Sequence, residues 1–458
     1  MRPGGLFVAH VARRDGHDFV ASAFANGARA ALVSRVPQNL LAALAAGGVA
    51  VLDFRPGGAP AWGPEGAGER PLLLLVEQPL RALQGVAAWW RRGHRARVLA
   101  VAGAVGKTTT KELLANAVSR RYSTLRTAGN FNNELGLPIT LLGLTAAQEM
   151  AVLEIGISEV GEMTTFAAVA GADVGVMTRI VPEHMAFLRD LDTVEREEGR
   201  LIEALPASGV AVLNADDPRV ARMASRTSAR VVRYGEGAGV DVGAREVTDH
   251  GLAGLSFTLD APGFPGGPRP VRLPLVGRHF LTAALGAAGA AFAAGCEWED
   301  VVAGLQQAPQ TQRLAPRPLP GGVTVLDDAY NASPDSARAA LDVLAAAPAA
   351  GGRRLALLGD MLEMGDYAPL AHREVGAHVP GRADVLVTVG DLGREIARAA
   401  RAGGVPAGQV HECRTAEDAV SLLTHVLRPG DTLLVKASHG MHLETVIEAL
   451  AGRTDRAG

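Results

Sequence analysis

Val98-Leu99-Ala100-Val101-Ala102, followed by Gly103-Ala104-Val105-Gly106-Lys107-Thr108-Thr109-Thr110, is the stretch from which the rest of the chain is read. A short apolar strand runs into a glycine-rich turn and then into a helix start. That order aims several backbone N–H groups and the positive end of a helix dipole at one point, a cradle for phosphate. Gly103 and Gly106 shape the turn, Lys107 is placed to reach terminal phosphates, and the Thr108 hydroxyl to meet Mg²⁺, with Thr109 beside it. The longer form of such a loop carries glycine at position 101; Val101 stands there, so this is the shorter GxxGKT form. A nucleotide with Mg²⁺ is the expected ligand. A phosphate loop alone leaves hydrolase, motor and kinase chemistry open.

Outward from this loop, apolar runs at Ala151–Ile155, Val174–Thr178 and Val210–Leu213 alternate with helical stretches. Such alternation predicts a parallel sheet with helices on both faces. Val240 to Val271 reads as a β-rich excursion. A second alternating series (Val323–Leu326, Leu355–Leu358, Val385–Val389, Thr432–Val435) predicts another doubly wound sheet. At the N-terminal end, Gly5–Ala9 and Ala30–Ser34 read as strands around an Ala-rich helix, and Arg55 to Arg70 as a surface loop. The expected class is therefore α/β with three domains, 1–92, 93–312 and 313–458. They are a small N-terminal unit, a central phosphate-loop sheet and a Rossmann-like C-terminal unit.

Glu154 closes the strand Ala151–Glu154 beside the phosphate loop, where a carboxylate suits a Mg²⁺ ligand; a helix-capping acid is the plainer alternative. His184, in Pro182-Glu183-His184-Met185, is by itself an ordinary surface or core histidine. Composition narrows the function further. A net charge of −3 gives no electrostatic case for nucleic acid or an anionic membrane. Cys296 and Cys413 lack metal-ligand spacing, which suits a reducing cytoplasm. The N-terminal stretch has no charged-then-apolar run with a small-residue cleavage site, so no secretory signal is expected. The longest apolar stretch, Phe280 to Cys296, is Ala- and Gly-rich and short for a bilayer span, so a buried helix is expected. Of the 45 basic residues only Lys107, Lys111 and Lys436 are lysines. A chain that spends arginine on its surface keeps lysine where a compact ammonium is needed, although Lys111 reads equally well as chance on an exposed helix turn.

Seven segments together resemble the Mur ligases over nearly the whole chain. They are Gly103–Lys111, Thr127–Pro138 (TAGNFNNELGLP), Val152–Gly156, Asn214–Asp217 (NADD), Leu326–Pro334 (LDDAYNASP), Leu358–Gly365 (LGDMLEMG) and Val435–Glu444. Among the branches of that family, the asparagine cluster and the DDAYNASP and GDMLEMG segments favour the one that adds D-alanyl-D-alanine to a UDP-N-acetylmuramoyl tripeptide. Gly5–Ala9 with Asp15–Val20 is similar to that branch's first domain. The resemblance implies a cytoplasmic, monomeric ligase of cell-wall synthesis, in which ATP phosphorylates a peptide carboxylate and an amine displaces the phosphate. It assigns Lys107 and Thr108 to the phosphates, Thr108 and Glu154 to a first Mg²⁺, and His184 to a second. Arg313, Asp328, Tyr330 and Asn331 are assigned to ATP. Asn130, Asn132, Asn133, Asp360, Glu363, Lys436 and Ser438 fall to the substrates. Tyr330 and Asn331 could instead simply shape the turn before Pro334.

Four departures from the family pattern stand out. Before Gly4 the chain has no counterpart of an earlier strand and a Ser-Arg pair that meet uridine in the family. Phe280 and Ala283 stand for two adenine-binding asparagines. His439 stands for an arginine, and Glu198 for a carbamylated lysine that holds the second metal. Glu198 presents the same charge on a shorter stem; otherwise Glu195-Arg196-Glu197-Glu198 is a solvated helix face. A Mur-like ligase for another substrate and a non-catalytic ATP-binding relative are the competing readings.

Overall fold

The computed structural model describes residues 3–12, 14–46, 48–57, 70–307, 309, 313–347 and 351–452. Most of the expected loop Arg55 to Arg70, and Gln312 before Arg313, lie outside the described residues. The chain divides into two compact units, one of Met1–Arg95 with Phe131–Leu144, the other of Ala96–Asn130 with Thr145–Gly458.

The first unit is a four-stranded parallel sheet of β1 (Leu6–Val8), β2 (Ala30–Val33), β3 (Ala50–Asp53) and β4 (Leu72–Leu75), in the order β1-β2-β4-β3. Ala9, Val20, Ala31, Val33, Leu73 and Leu75 form its core. In the segment similar to the family's first domain, His17 is buried between Asp15, at Nδ1–Oδ1 2.6 Å, and the backbone N–H of Ser34, which donates to Nε2 at 3.0 Å. The helix Pro79–Arg92 starts on a proline, whose missing N–H costs nothing at a first helical position. Against it sits the helix Gly136–Leu141: Trp90 Nε1 donates to the Leu144 carbonyl at 2.9 Å and Gln84 Nε2 to that of Glu134 at 3.2 Å. The second half of the asparagine segment thus packs with the first unit rather than with the sheet that precedes and follows it in sequence.

In the second unit the central sheet comprises β5 (Arg97–Ala102), β6 (Thr124–Arg126), β7 (Met150–Glu154), β8 (Val174–Met177), β9 (Val210–Asn214) and β10 (Arg230–Tyr234). All pairings are parallel, in the order β10-β9-β8-β5-β7-β6. Nearly every residue of β5, β7, β8 and β9 is buried, as expected for strands covered on both faces. The chain reverses its direction of travel across the sheet at β5, so the loop after β5 opens at the switch point where α/β sheets bind ligands. The β excursion is an antiparallel trio, β11 (Gly243–Asp249), β12 (Leu255–Asp260) and β13 (Arg269–Leu273). The Ala-rich stretch is the buried helix Phe280–Ala294, packed on the helix Lys107–Val118 that leaves the phosphate loop.

The third sheet carries β14 (Ala315–Leu319), β15 (Val323–Asp328), β16 (Arg354–Gly359), β17 (Val385–Val389), β18 (Val410–Cys413) and β19 (Thr432–Lys436), in the order β14-β15-β19-β16-β17-β18. Only β14 is antiparallel; with Pro316 and Pro318 it can serve only as an edge strand. No helix among the described residues is long and apolar enough to cross a membrane.

Candidate active site

Gly103 has φ +114, and a Cβ there would come within 2.3 Å of Thr178 Oγ1, so the turn closes only around glycine. Gly106, at φ +88, begins the helix Lys107–Val118 without a side-chain cap, which leaves the first-turn N–H groups to the loop. Lys107 Nζ donates to the Ala104 carbonyl at 3.0 Å and to Glu183 Oε2 at 3.1 Å. Burial works against its charge, but the carboxylates of Glu183, Glu198 and Glu154 together raise its pKa above the ordinary lysine value. The lysine is held charged at the mouth of the loop.

Register explains the next contact. Val101 of β5 pairs with Glu154 of β7, which sets the Glu154 carboxylate beside the helix start. Thr108 Oγ1 donates to Glu154 Oε1 at 3.0 Å. Two oxygen ligands of Mg²⁺ with bonds of about 2.1 Å stand about 3.0 Å apart at adjacent octahedral corners. The spacing of these two oxygens therefore fits one Mg²⁺.

His184 and Glu198 are each engaged elsewhere. Glu198, on the helix Leu191–Glu203, is 2% exposed, and its Oε2 accepts the backbone N–H of Gly103 at 2.9 Å. Burial pushes its pKa up to about 7, against the pull of Lys107 and with the push of Glu183. The solvated acidic face is thereby corrected: Glu197 and Glu198 both point inward. His184, at φ +51, turns Nδ1 to Glu363 Oε2 at 2.5 Å, while its Nε2 lies 4.0 Å from Glu183 Oε1. Among the described residues no three His, Cys, Asp or Glu converge as a metal cage.

A second correction concerns Lys111. It is not on an exposed turn but fully buried, with Nζ 2.6 Å from Glu112 Oε1 and 3.1 Å from the Thr127 carbonyl. Its scarcity in the sequence was the one signal of a role; helical position alone hid it. Glu183 carried no expected role, and only the fold sets it on Lys107.

The third sheet contributes a linked group. Asp328 and Lys436 end neighbouring strands in register, and Lys436 Nζ lies 2.5 Å from Asp328 Oδ2 and 2.8 Å from the Asn331 carbonyl. Lys436 is 2% exposed, and burial lowers its pKa against the opposing charge of Asp328. The Arg313 guanidinium stacks 4.3 Å over the Tyr330 ring and reaches to 3.9 Å from Asp328 Oδ1. The His439 ring lies 5.4 Å from that of Tyr330. Asp360 accepts the N–H of Gly393 at 2.8 Å, and Ser438 Oγ that of Leu362 at 2.8 Å, so both also serve the local backbone. Asn133 Oδ1 accepts the N–H of Gly136 at 2.9 Å at the start of the helix Gly136–Leu141; Asn132 and Asn133 belong to the first unit, Asn130 to the second. Phe280 and Ala283 are core residues, 6% and 7% exposed. Beside them Val276, Gly277, Arg278, His279, Asp342 and Val343 line a cavity of about 150 Å³.

Two family models match the chain, the Mur ligase middle domain over residues 101–291 and the Mur ligase glutamate ligase domain over residues 312–439. A curated UDP-N-acetylmuramoyl-tripeptide–D-alanyl-D-alanine ligase of Mycobacterium tuberculosis is 37% identical, over 98% of this chain and 90% of its own length. The chain belongs to the Mur ligase family. A ligase of the same description from Synechocystis is 34% identical, over 91% of this chain and 86% of its own. The crystal structure of MurF from Acinetobacter baumannii superimposes with a TM-score of 0.82 at 29% identity, covering 99% of this chain and 91% of that one. Within the Mur ligase models fall the phosphate loop, Glu154, His184 and Glu198 in the middle domain, and Arg313, Asp328, Tyr330 and Lys436 in the glutamate ligase domain.

Proposed function

We propose that this Mur ligase uses ATP and Mg²⁺ to join the amine of D-alanyl-D-alanine to the terminal carboxylate of a UDP-N-acetylmuramoyl tripeptide. The Lys107–Thr108–Glu154 constellation at the β5 switch point carries the reading, and the identity with curated ligases of that description supports the substrate pair.

A carboxylate and an ammonium do not condense in water, so one carboxylate oxygen must first become a phosphate leaving group. The peptide carboxylate attacks the terminal phosphorus of ATP, and ADP leaves. The D-alanyl-D-alanine amine then attacks the acyl carbon, and inorganic phosphate leaves with the bonding pair as the amine loses its proton. Thr108 and Glu154 would hold Mg²⁺, which when bound would neutralise charge on the phosphates. Lys107 follows the transferring phosphoryl group, a task for a compact charge on a flexible stem. Arg313, Tyr330 and Asn331 close on the nucleotide from the third sheet, excluding water from the acyl phosphate. The free thiols of Cys296 and Cys413 and the demand for ATP suit the cytoplasm. Phosphate release measured with each substrate withheld tests the proposal; ADP formation without the muramoyl peptide would contradict it.

A further inference from the structure

Lys111 is fully buried one turn beyond Lys107, and its ammonium meets oxygens from three elements. Glu112 Oε1 lies at 2.6 Å, the Thr127 carbonyl at 3.1 Å and Glu154 Oε2 at 3.9 Å. Thr127, itself buried, is tied back to the same strand: its hydroxyl accepts the N–H of Glu154 at 3.0 Å, and its own N–H donates to the Val152 carbonyl at 3.0 Å. Arg126 adds a second cation on Glu112, at 3.3 Å from Oε2. Two cations therefore stand against the carboxylates of Glu112 and Glu154.

We propose that Lys111 is a positioning residue of the ligation reaction, holding the Glu154 carboxylate and the Thr127 carbonyl in one arrangement on the Mg²⁺ side of the phosphate loop. The proposal rests on the function given above. A compact ammonium can hydrogen-bond Glu112 and the Thr127 carbonyl while keeping the Glu154 carboxylate in ion-pair range from a third direction, whereas the planar fork of arginine suits this less well. A buried charge with no role but folding is poorly kept, since apolar side chains of equal volume serve stability as well or better.

The test compares wild type with Lys111→Met/Glu112→Gln, which removes one charge of each sign, and with Lys111→Arg. Calorimetry of ADP binding with and without Mg²⁺ accompanies steady-state kinetics. The expected result is a loss of roughly 10–100-fold in Mg²⁺-dependent ADP affinity and in kcat, the usual range for residues that orient a metal's ligands. ADP affinity without Mg²⁺ and the KM for D-alanyl-D-alanine should stay within about twofold. Should the double variant not fold, Lys111→Arg carries the test alone with the same expected split. Wild-type kcat in the variant that folds, or equal loss of ADP affinity with and without Mg²⁺, overturns the positioning role. If the wild type ligates nothing while the Mg²⁺-linked loss persists, the assigned reaction fails and the positioning of Glu154 stands.

Discussion

Glu198 and Gly103 are joined across the phosphate loop: the Glu198 carboxylate accepts the Gly103 backbone N–H at 2.9 Å, from a side chain 2% exposed. The resemblance to the Mur ligases leads one to expect a carbamylated lysine here; the carboxylate found in its place braces the loop that holds Lys107. Turnover should therefore be indifferent to added bicarbonate, whereas Glu198→Ala, which leaves the Gly103 N–H without this acceptor, should lower it at least about tenfold by misplacing the loop. A wild type that needs bicarbonate would contradict this assignment.

The same residue sets a pH dependence. Burial raises its pKa from 4.5 to about 7, so between those values the native protein holds a proton that the unfolded chain has lost. Stability contributed by the neutral carboxyl is complete below pH 4.5 and is lost as pH rises through about 7, a change of order 1–3 kcal/mol. Thermal unfolding of the metal-free protein across that window should show the decline, and Glu198→Gln should flatten it. An unchanged slope in the variant would remove Glu198 as the cause.

Lys107→Ala should leave the fold intact and cut ligation by roughly 10²–10³-fold, the usual cost of losing one contact to developing charge. Circular dichroism and product formation measure the two halves separately. Residual ligation above about a tenth of wild type would mean that Lys107 is not at the transferring phosphate.

Much of this site was legible in the sequence, and for physical reasons. Gly103, Gly106, Lys107 and Thr108 are adjacent in the chain, so their chemistry shows in one reading. The interior strands β5, β8, β9 and β17 are continuous apolar runs and could be placed within a residue or two. The edge strands β10 and β18 mix polar and charged residues into short runs, and β14 holds two prolines, so none announces itself. The burial of Glu198 and Lys111 depends on β7 and on a helix some ninety residues away folding onto the loop, information that helical spacing does not carry.

His184 and Glu363 both have positive φ, and their side chains meet at 2.5 Å while the Ala186 N–H donates to the Glu363 carbonyl at 3.0 Å. Glu363→Ala should consequently lower kcat through His184 and add little in a His184→Ala background. A rise in the KM for D-alanyl-D-alanine alone would instead place Glu363 at the substrate.

Breaking the buried Asp328–Lys436 pair should destabilise the protein by about 3–5 kcal/mol, since either partner alone is left as an uncompensated buried charge. Denaturant unfolding of Asp328→Ala gives the value, and the paired change Asp328→Asn/Lys436→Met should recover much of it. No recovery would show that the loss is one of packing.

Coupled phosphate release in a mixture of ATP, Mg²⁺, a UDP-N-acetylmuramoyl tripeptide and D-alanyl-D-alanine tests the central claim most directly. One phosphate should appear per amide bond formed, and no ADP when the muramoyl peptide is withheld. Robust ATP hydrolysis with neither substrate, or ligation only with an unrelated acid, would contradict it.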